Sequence, residues 1–156
     1  MRIARVTGAD LQDLLPLVRA YCDFYETSPS DEDLLSLSRA LLADPQREGL
    51  QLLARDDEGR AVGFATVYWT WATTRAVRIG VMNDLFVAPA ARGTGLAEAL
   101  IEACRAECTA RGAGRLTWQT APDNERAMKV YDRIGGTREQ WVDYWLPVEQ
   151  RSSASE

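Results

Sequence analysis

The sequence predicts a mixed α/β fold of the α+β kind, built on a largely antiparallel sheet, and three observations predict it. Strand-like runs follow one another across short turns over residues 50–87, which makes an antiparallel meander. A long amphipathic run over residues 96–111 then separates the last of these from a further strand-like run, and a helical crossover of that length sets its two flanking strands parallel. With 156 residues, 46% of them hydrophobic, the chain is long enough to bury around 70% of its unfolded surface in one core. Residues 1–150 therefore read as a single domain, and residues 151–156, all small or polar, as a C-terminal tail expected to be disordered.

Taken in order, residues 2–6 alternate as a first strand. Thr7 and Asp10 have the spacing of a capping box, and Leu11, Leu14, Leu15, Val18, Tyr21, Cys22 and Tyr25 follow with helical periodicity. Pro16 interrupts that run, and an interior proline costs about 3 kcal/mol, so the helix is expected to kink or to begin there. After a break at residues 27–30, Ser30 and the acidic residues Asp31, Glu32 and Asp33 cap a second helix carrying Leu34, Leu37, Leu41 and Leu42, which Asp44-Pro45 ends. Together with Asp23, Tyr25 and Glu26 these acids form a local cluster. It reads either as a solvated set of caps or as the lip of an amine pocket, in which Tyr25 and Glu26 would touch the acceptor.

Residues 50–54 and 61–69 make a hairpin in which Val62, Phe64, Thr66 and Tyr68 share a face, and a turn at 70–74 leads into a strand ending at Val87. In the long helix Leu96, Leu100, Cys104 and Cys108 recur every fourth residue until Gly112 and Gly114 stop it. A strand over 115–120, a helix over 125–134 capped by Asn124, and a last strand over 138–146 with Trp141, Tyr144 and Trp145 complete the chain. Those aromatics leave room for a homodimer.

The junction between residues 81–87 and 96–111 is where chemistry concentrates. Gly93 and Gly95 let backbone approach a ligand without a Cβ clash, and the first helical turn offers unpaired amides at the positive end of a dipole. A phosphate fits such a place. The loop has no lysine, which excludes a P-loop, and Glu98 stands where a dinucleotide fingerprint needs its third glycine.

Arg92-Gly93-Thr94-Gly95-Leu96-Ala97 reads Arg-x-x-Gly-x-Ala and resembles the Gln/Arg-x-x-Gly-x-Gly/Ala loop of GNAT superfamily N-acetyltransferases. The preceding strand, the Pro89 turn, Asn124 and Tyr131 stand where that superfamily has them, and the resemblance is strongest over residues 83–136. It implies a mixed sheet of about six or seven strands, largely antiparallel, with about four helices on both faces. It implies acetyl-CoA as acetyl donor, with main-chain bonds from Leu85, Phe86 and Val87 to the pantetheine arm and amides of residues 92–97 on the pyrophosphate. Asn124 would bond to the same arm, and Tyr131 would protonate the departing thiolate. Within the superfamily the chain looks most like the polyamine and thialysine acetyltransferases, with one departure. Asn83 stands where those enzymes usually carry a glutamate, which puts a polyamine acceptor in doubt.

The residues limit the chemistry further. There is no histidine, so Ser-His-Asp and Cys-His schemes and histidine-ligated metals are excluded and proton transfer falls to carboxylates, tyrosine, lysine or water. Three cysteines, Cys22, Cys104 and Cys108, lack metal or disulfide spacing, and no metal is expected. A net charge of -5 provides no basic footprint for nucleic acid or anionic membrane. No apolar run is long enough for a membrane span, and the expected location is cytoplasmic. An alkylamine has a pKa of about 10.4 and must lose a proton before it attacks. Asp84 is the first choice of base, with Glu26 or water as alternatives; strand alternation sends Asn83 and Asp84 to opposite sides unless a bulge intervenes. Trp69, Trp71 and Trp118 read as core or as pocket lining. The function expected is direct acetyl transfer to a small primary amine, such as a diamine, amino acid or aminoglycoside-like compound. Its alternatives are a non-catalytic acyl-CoA-binding module and an enzyme acting on a protein N-terminus or lysine.

Overall fold

Residues 1–148 are described by the structure, a computed structural model; the tail expected over 151–156 lies outside the described residues. Strand β1 (Arg2–Arg5) leads through a 3-10 turn into α1 (Leu11–Phe24). The capping box forms as the spacing predicts, Thr7 donating its amide to Asp10 Oδ2 at 2.9 Å and its hydroxyl at 2.6 Å. The helix begins at Leu11 and runs through Pro16, so the expected start at the proline is not where it begins. Burial of Leu11, Leu14 and Leu17 against the sheet outweighs the lost hydrogen bond. Helix α2 (Asp31–Ala43) is capped by Ser30, whose Oγ accepts from the Asp33 amide at 3.1 Å.

Strands β2 (Gly49–Arg55), β3 (Ala61–Ala72) and β4 (Val77–Val87) form the antiparallel meander; α3 (Leu96–Ala110) then crosses to β5 (Leu116–Thr117), and α4 (Glu125–Arg133) follows. The sheet order is β1-β2-β3-β4-β5, with only the β4–β5 pair parallel. Helices cover both faces. Leu96, Leu100, Ile101, Cys104 and Cys108 of α3 pack on Leu52, Val67 and Met82, while Leu11, Leu14 and Leu17 of α1 pack on Leu53, Phe64 and Phe86. Gly80 lies where backbone must stay bare, since an added Cβ would come within 2.5 Å of Cys108 Sγ and 3.0 Å of the Trp69 ring. Gly80→Ala is expected to cost about 1–3 kcal/mol, measurable by denaturant titration.

Two register shifts decide which way side chains face. One at the β2–β3 hairpin turns Val62 to the α3 side, so it does not share a face with Phe64 as strict alternation predicts. The other leaves Asn83 without a partner between Val67↔Met82 and Thr66↔Asp84. Met82 therefore faces α3, and Asp84 joins Phe86 on the α1 side.

The strand count differs from expectation. Residues 138–146 form no strand, and β5 is two residues long, leaving five strands among the described residues. The segment is tied to the region of β5 only by side chains, Arg115 to Glu139 at 3.3 Å and Gln119 to Asp143 at 3.1 Å. Trp141, Tyr144 and Trp145 are 80%, 92% and 83% exposed. Alternating apolar residues make a strand only where a neighbouring edge supplies ladder bonds and burial, and so short an edge supplies little of either.

Candidate active site

Parallel pairing of β4 with β5 ends after Gly80↔Leu116 and Val81↔Thr117. Beyond that point the strands part, and β4 from Met82 to Val87 keeps only its β3 neighbour. The parting opens a cavity of about 720 Å³ between β4, the loop before α3, α4 and the end of α1. Leu85, Phe86, Val87, Arg92, Gly93, Gly95, Leu96, Ala97, Asn124 and Tyr131 all line it, so the residues expected to hold the donor and act on it converge from three separate stretches; Thr94, expected in the same loop, is not among the lining residues.

The glycine loop is built as its sequence suggests. Gly93 and Gly95 adopt φ of 80° and 83°, the left-handed region that favours glycine. Thr94 closes the loop from within, its hydroxyl donating to the Ala91 carbonyl at 2.8 Å. The amides of Gly93, Thr94, Gly95, Leu96 and Ala97 pair with no backbone carbonyl among the described residues, and they stand at the positive end of a 15-residue helix. The Arg92 guanidinium is used locally, Nε donating to the Val87 carbonyl at 3.1 Å. Asn124 performs its capping role, Oδ1 accepting from the Ala127 amide at 3.2 Å.

At the acceptor end the bulge places Asn83 in the cavity wall, with its Nδ2 donating to Asp84 Oδ1 at 2.9 Å. Asp84 lies on the α1 side of β4, beside the hydroxyls of Thr66 and Tyr21 and near Tyr68. Burial pushes the Asp84 carboxyl above the usual carboxylate range, an effect that the Asn83 amide and the neighbouring Thr66 and Tyr21 hydroxyls only partly offset. Burial likewise raises the Tyr68 phenol to about 12, and Asp84 adds to the rise. Tyr131 is held edge to face against Trp118, with centroids 5.3 Å apart, and burial together with the neighbouring Tyr25 phenol raises its pKa.

Other expected residues are placed differently. Tyr25 lines the cavity, whereas Glu26 is exposed at φ 56° outside it. The acidic cluster behaves as caps and surface pairs: Asp31 pairs with Arg19, Glu32 with Arg39, and Asp33 with the Ser30 hydroxyl. Of the three tryptophans only Trp118 reaches the cavity; Trp69 is core, its Nε1 donating to the Pro45 carbonyl at 3.1 Å, and Trp71 is exposed under Arg78. Cys104 and Cys108 are buried under the sheet, and burial pushes the Cys104 thiol up to about 12, so it is a poor nucleophile. Tyr21 escaped the sequence reading, because its helical spacing marks it as one more core position of α1. Arg126 and Lys129 of α4 escaped for the opposite reason, as they resemble solvated surface charge.

A family model described as the acetyltransferase (GNAT) family matches residues 14–136. The uncharacterized N-acetyltransferase YhfO of Bacillus subtilis (strain 168) is 30% identical over 149 residues, which covers 95% of this chain and 98% of that protein. The solved structure of a probable acetyltransferase is 30% identical, covers 97% of this chain and 100% of its own, and superposes with a TM-score of 0.84. A ribosomal-protein-alanine N-acetyltransferase from Brucella melitensis biovar Abortus 2308 is 26% identical over 95% of this chain and 100% of its own, with a TM-score of 0.75. The chain belongs to the acetyltransferase (GNAT) family and is an acetyl-CoA-dependent N-acetyltransferase.

Proposed function

We propose that the protein acetylates the primary amine of a small molecule by direct attack in a ternary complex. One observation carries this reading: an anion-binding loop, the free edge of β4, the Tyr131 phenol and Asn83 meet around one cavity, with Asp84 bonded to Asn83 behind its wall. The donor fits the residues present, since five consecutive amides lack backbone partners and an added Cβ at Gly93 or Gly95 would meet nothing within 4 Å, so that the loop is open on its outer side. When bound, acetyl-CoA supplies an activated thioester carbonyl.

In this reading the amides of residues 93–97 hold a pyrophosphate and the main chain of Leu85, Phe86 and Val87 aligns the pantetheine arm, helped by Asn124. Arg92 braces the turn through the Val87 carbonyl. Arg126 and Lys129 add positive charge at the rim nearest α4. Asp84 takes the acceptor's proton, and Tyr131, a phenol at neutral pH, donates to the leaving sulfur. With no cysteine lining the cavity, an acyl-cysteine route has no group to form on.

On the acceptor side Tyr25 and Asn83 contact the amine, while Glu26 serves only as a surface residue. The polyamine and thialysine subgroup is the sequence's nearest look, but Asn83 is neutral and the acids of α2 are committed to Arg19, Arg39 and Ser30. We therefore favour an acceptor with one ammonium group over a polyamine. Exposure of Phe24 and Tyr25 at the cavity mouth favours a second reading, a protein N-terminus or lysine, and competition between peptides and free amines for thiol release separates the two. A cytoplasmic location agrees with the described helices, none of which is long and apolar enough to cross a membrane. A homodimer through Trp141, Tyr144 and Trp145 is the assembly we propose, and sedimentation of the Trp145→Glu variant beside the parent tests it.

Calorimetric titration with acetyl-CoA and, separately, with desulfo-CoA is expected to give one-to-one binding of both. If neither binds, the reading fails. Gly95→Val, which forces a β-branched residue to φ 83°, is expected to weaken acetyl-CoA binding by at least about 10-fold.

A further inference from the structure

Asp84 does not line the cavity; Asn83 and Tyr21 form the wall in front of it. A group inside the cavity thus meets Tyr21 or Asn83 before it can meet the carboxylate. The ring of Tyr21 is clamped on three sides, at 5.9 Å from Phe64, 6.4 Å from Phe86 and 5.0 Å from Tyr25, all edge to face. That clamp delivers its hydroxyl to the bulge, 3.4 Å from the Asn83 carbonyl and beside the Asp84 carboxylate. The groups that face Asp84 are Thr66 and Tyr68 of β3, Asn83 of β4 and Tyr21 of α1, and no cation pairs with it among the described residues. A half-buried carboxylate surrounded by hydroxyls and an amide is an acceptor for protons delivered from outside.

We propose that Tyr21 is a catalytic residue that passes the acceptor's proton to Asp84. This rests on the amine-acetylating reading above. In the step an N–H bond of the substrate ammonium breaks as its proton moves to the Tyr21 oxygen, while the Tyr21 O–H proton moves to an Asp84 oxygen. The nitrogen gains its lone pair, Tyr21 remains a neutral phenol, and Asp84 becomes a neutral acid that returns its proton to solvent between turnovers. Two features of the site suit the step. Burial and the Asp84 charge hold the Tyr21 phenol far above its ordinary range, so it relays without ionising. The raised Asp84 pKa makes that carboxylate a better proton acceptor.

Tyr21→Phe removes the hydroxyl and leaves the ring packing. With n-butylamine as the probe acceptor and thiol release as the readout, the variant is expected to lose about 10- to 100-fold in kcat/KM with acetyl-CoA affinity unchanged. In the Asp84→Asn background the same substitution is expected to cost nothing further, because the two residues act in series. Carbon-13 titration of aspartate-labelled protein provides a readout that needs no turnover: Asp84 should titrate at higher pH in Tyr21→Phe, having lost a donor to its anion. Wild-type rates in Tyr21→Phe, losses that multiply in the double variant, or an unmoved Asp84 titration would each overturn the relay. Absence of n-butylamine-dependent thiol release from the wild type would instead strike the acceptor reading, and the titration would still decide the contact.

Discussion

Asp84→Asn is expected to lower kcat/KM for amine acceptors by about 10²- to 10⁴-fold and, at neutral pH, to raise the melting temperature. The two effects have one cause. Asp84 is half-buried and has no cation partner among the described residues, so its folded-state pKa lies above its unfolded one. Between those two values the native state holds more protons than the unfolded state, and stability falls as pH rises through that window. At neutral pH the charged carboxylate therefore weakens the fold, and an isosteric amide removes the penalty. Removing the base also removes the acid limb of the kcat/KM profile, since that limb reports its titration. Calorimetric melting and a pH–rate profile of the variant check both halves. A lower melting temperature or an unchanged profile would mean that Asp84 is structural.

Tyr131→Phe is the second large effect, an expected fall of about 10²- to 10³-fold in kcat with the acetyl-CoA dissociation constant within about twofold of the parent. The substitution leaves the ring against Trp118, so donor binding has no reason to change. In the proposed mechanism, what it removes is the proton for the leaving sulfur. Burial and Tyr25 raise the Tyr131 pKa, which keeps the phenol protonated through the neutral range and moves the alkaline limb of the rate profile upward. Single-turnover kinetics with saturating acetyl-CoA isolate the chemical step. An unchanged rate there would assign the proton to water or to another group.

Much of this was legible in the chain because it rests on local rules. The caps at Thr7 and Ser30 and the glycine loop at residues 93–95 depend on neighbours within a few positions, and all form as written. Helix α3 was equally plain, because a buried stripe with four-residue spacing has a single reading. Of the two outcomes open at Pro16, a helix start there is not what forms, because the local cost of an interior proline is smaller than the gain from burying Leu11 and Leu14 in the core. The segment at 138–146 misled because apolar alternation describes a strand's side chains and says nothing of the edge it needs.

Sequence alone determined most of the element order, the glycine loop before α3 and the absence of any histidine, and it put forward Asp84 and Tyr131 for proton transfer, since motifs and residue chemistry are read without distances. Only the tertiary structure decided which way they face. The unpaired residue Asn83 shifts the register of β4 by one, and that shift turns Asp84 away from the cavity and under α1. Periodicity on a strand has no memory of a bulge, which forms when partner strands are paired and packed, and so it could not reveal that Tyr21, written as a core residue, lines the cavity beside Asn83.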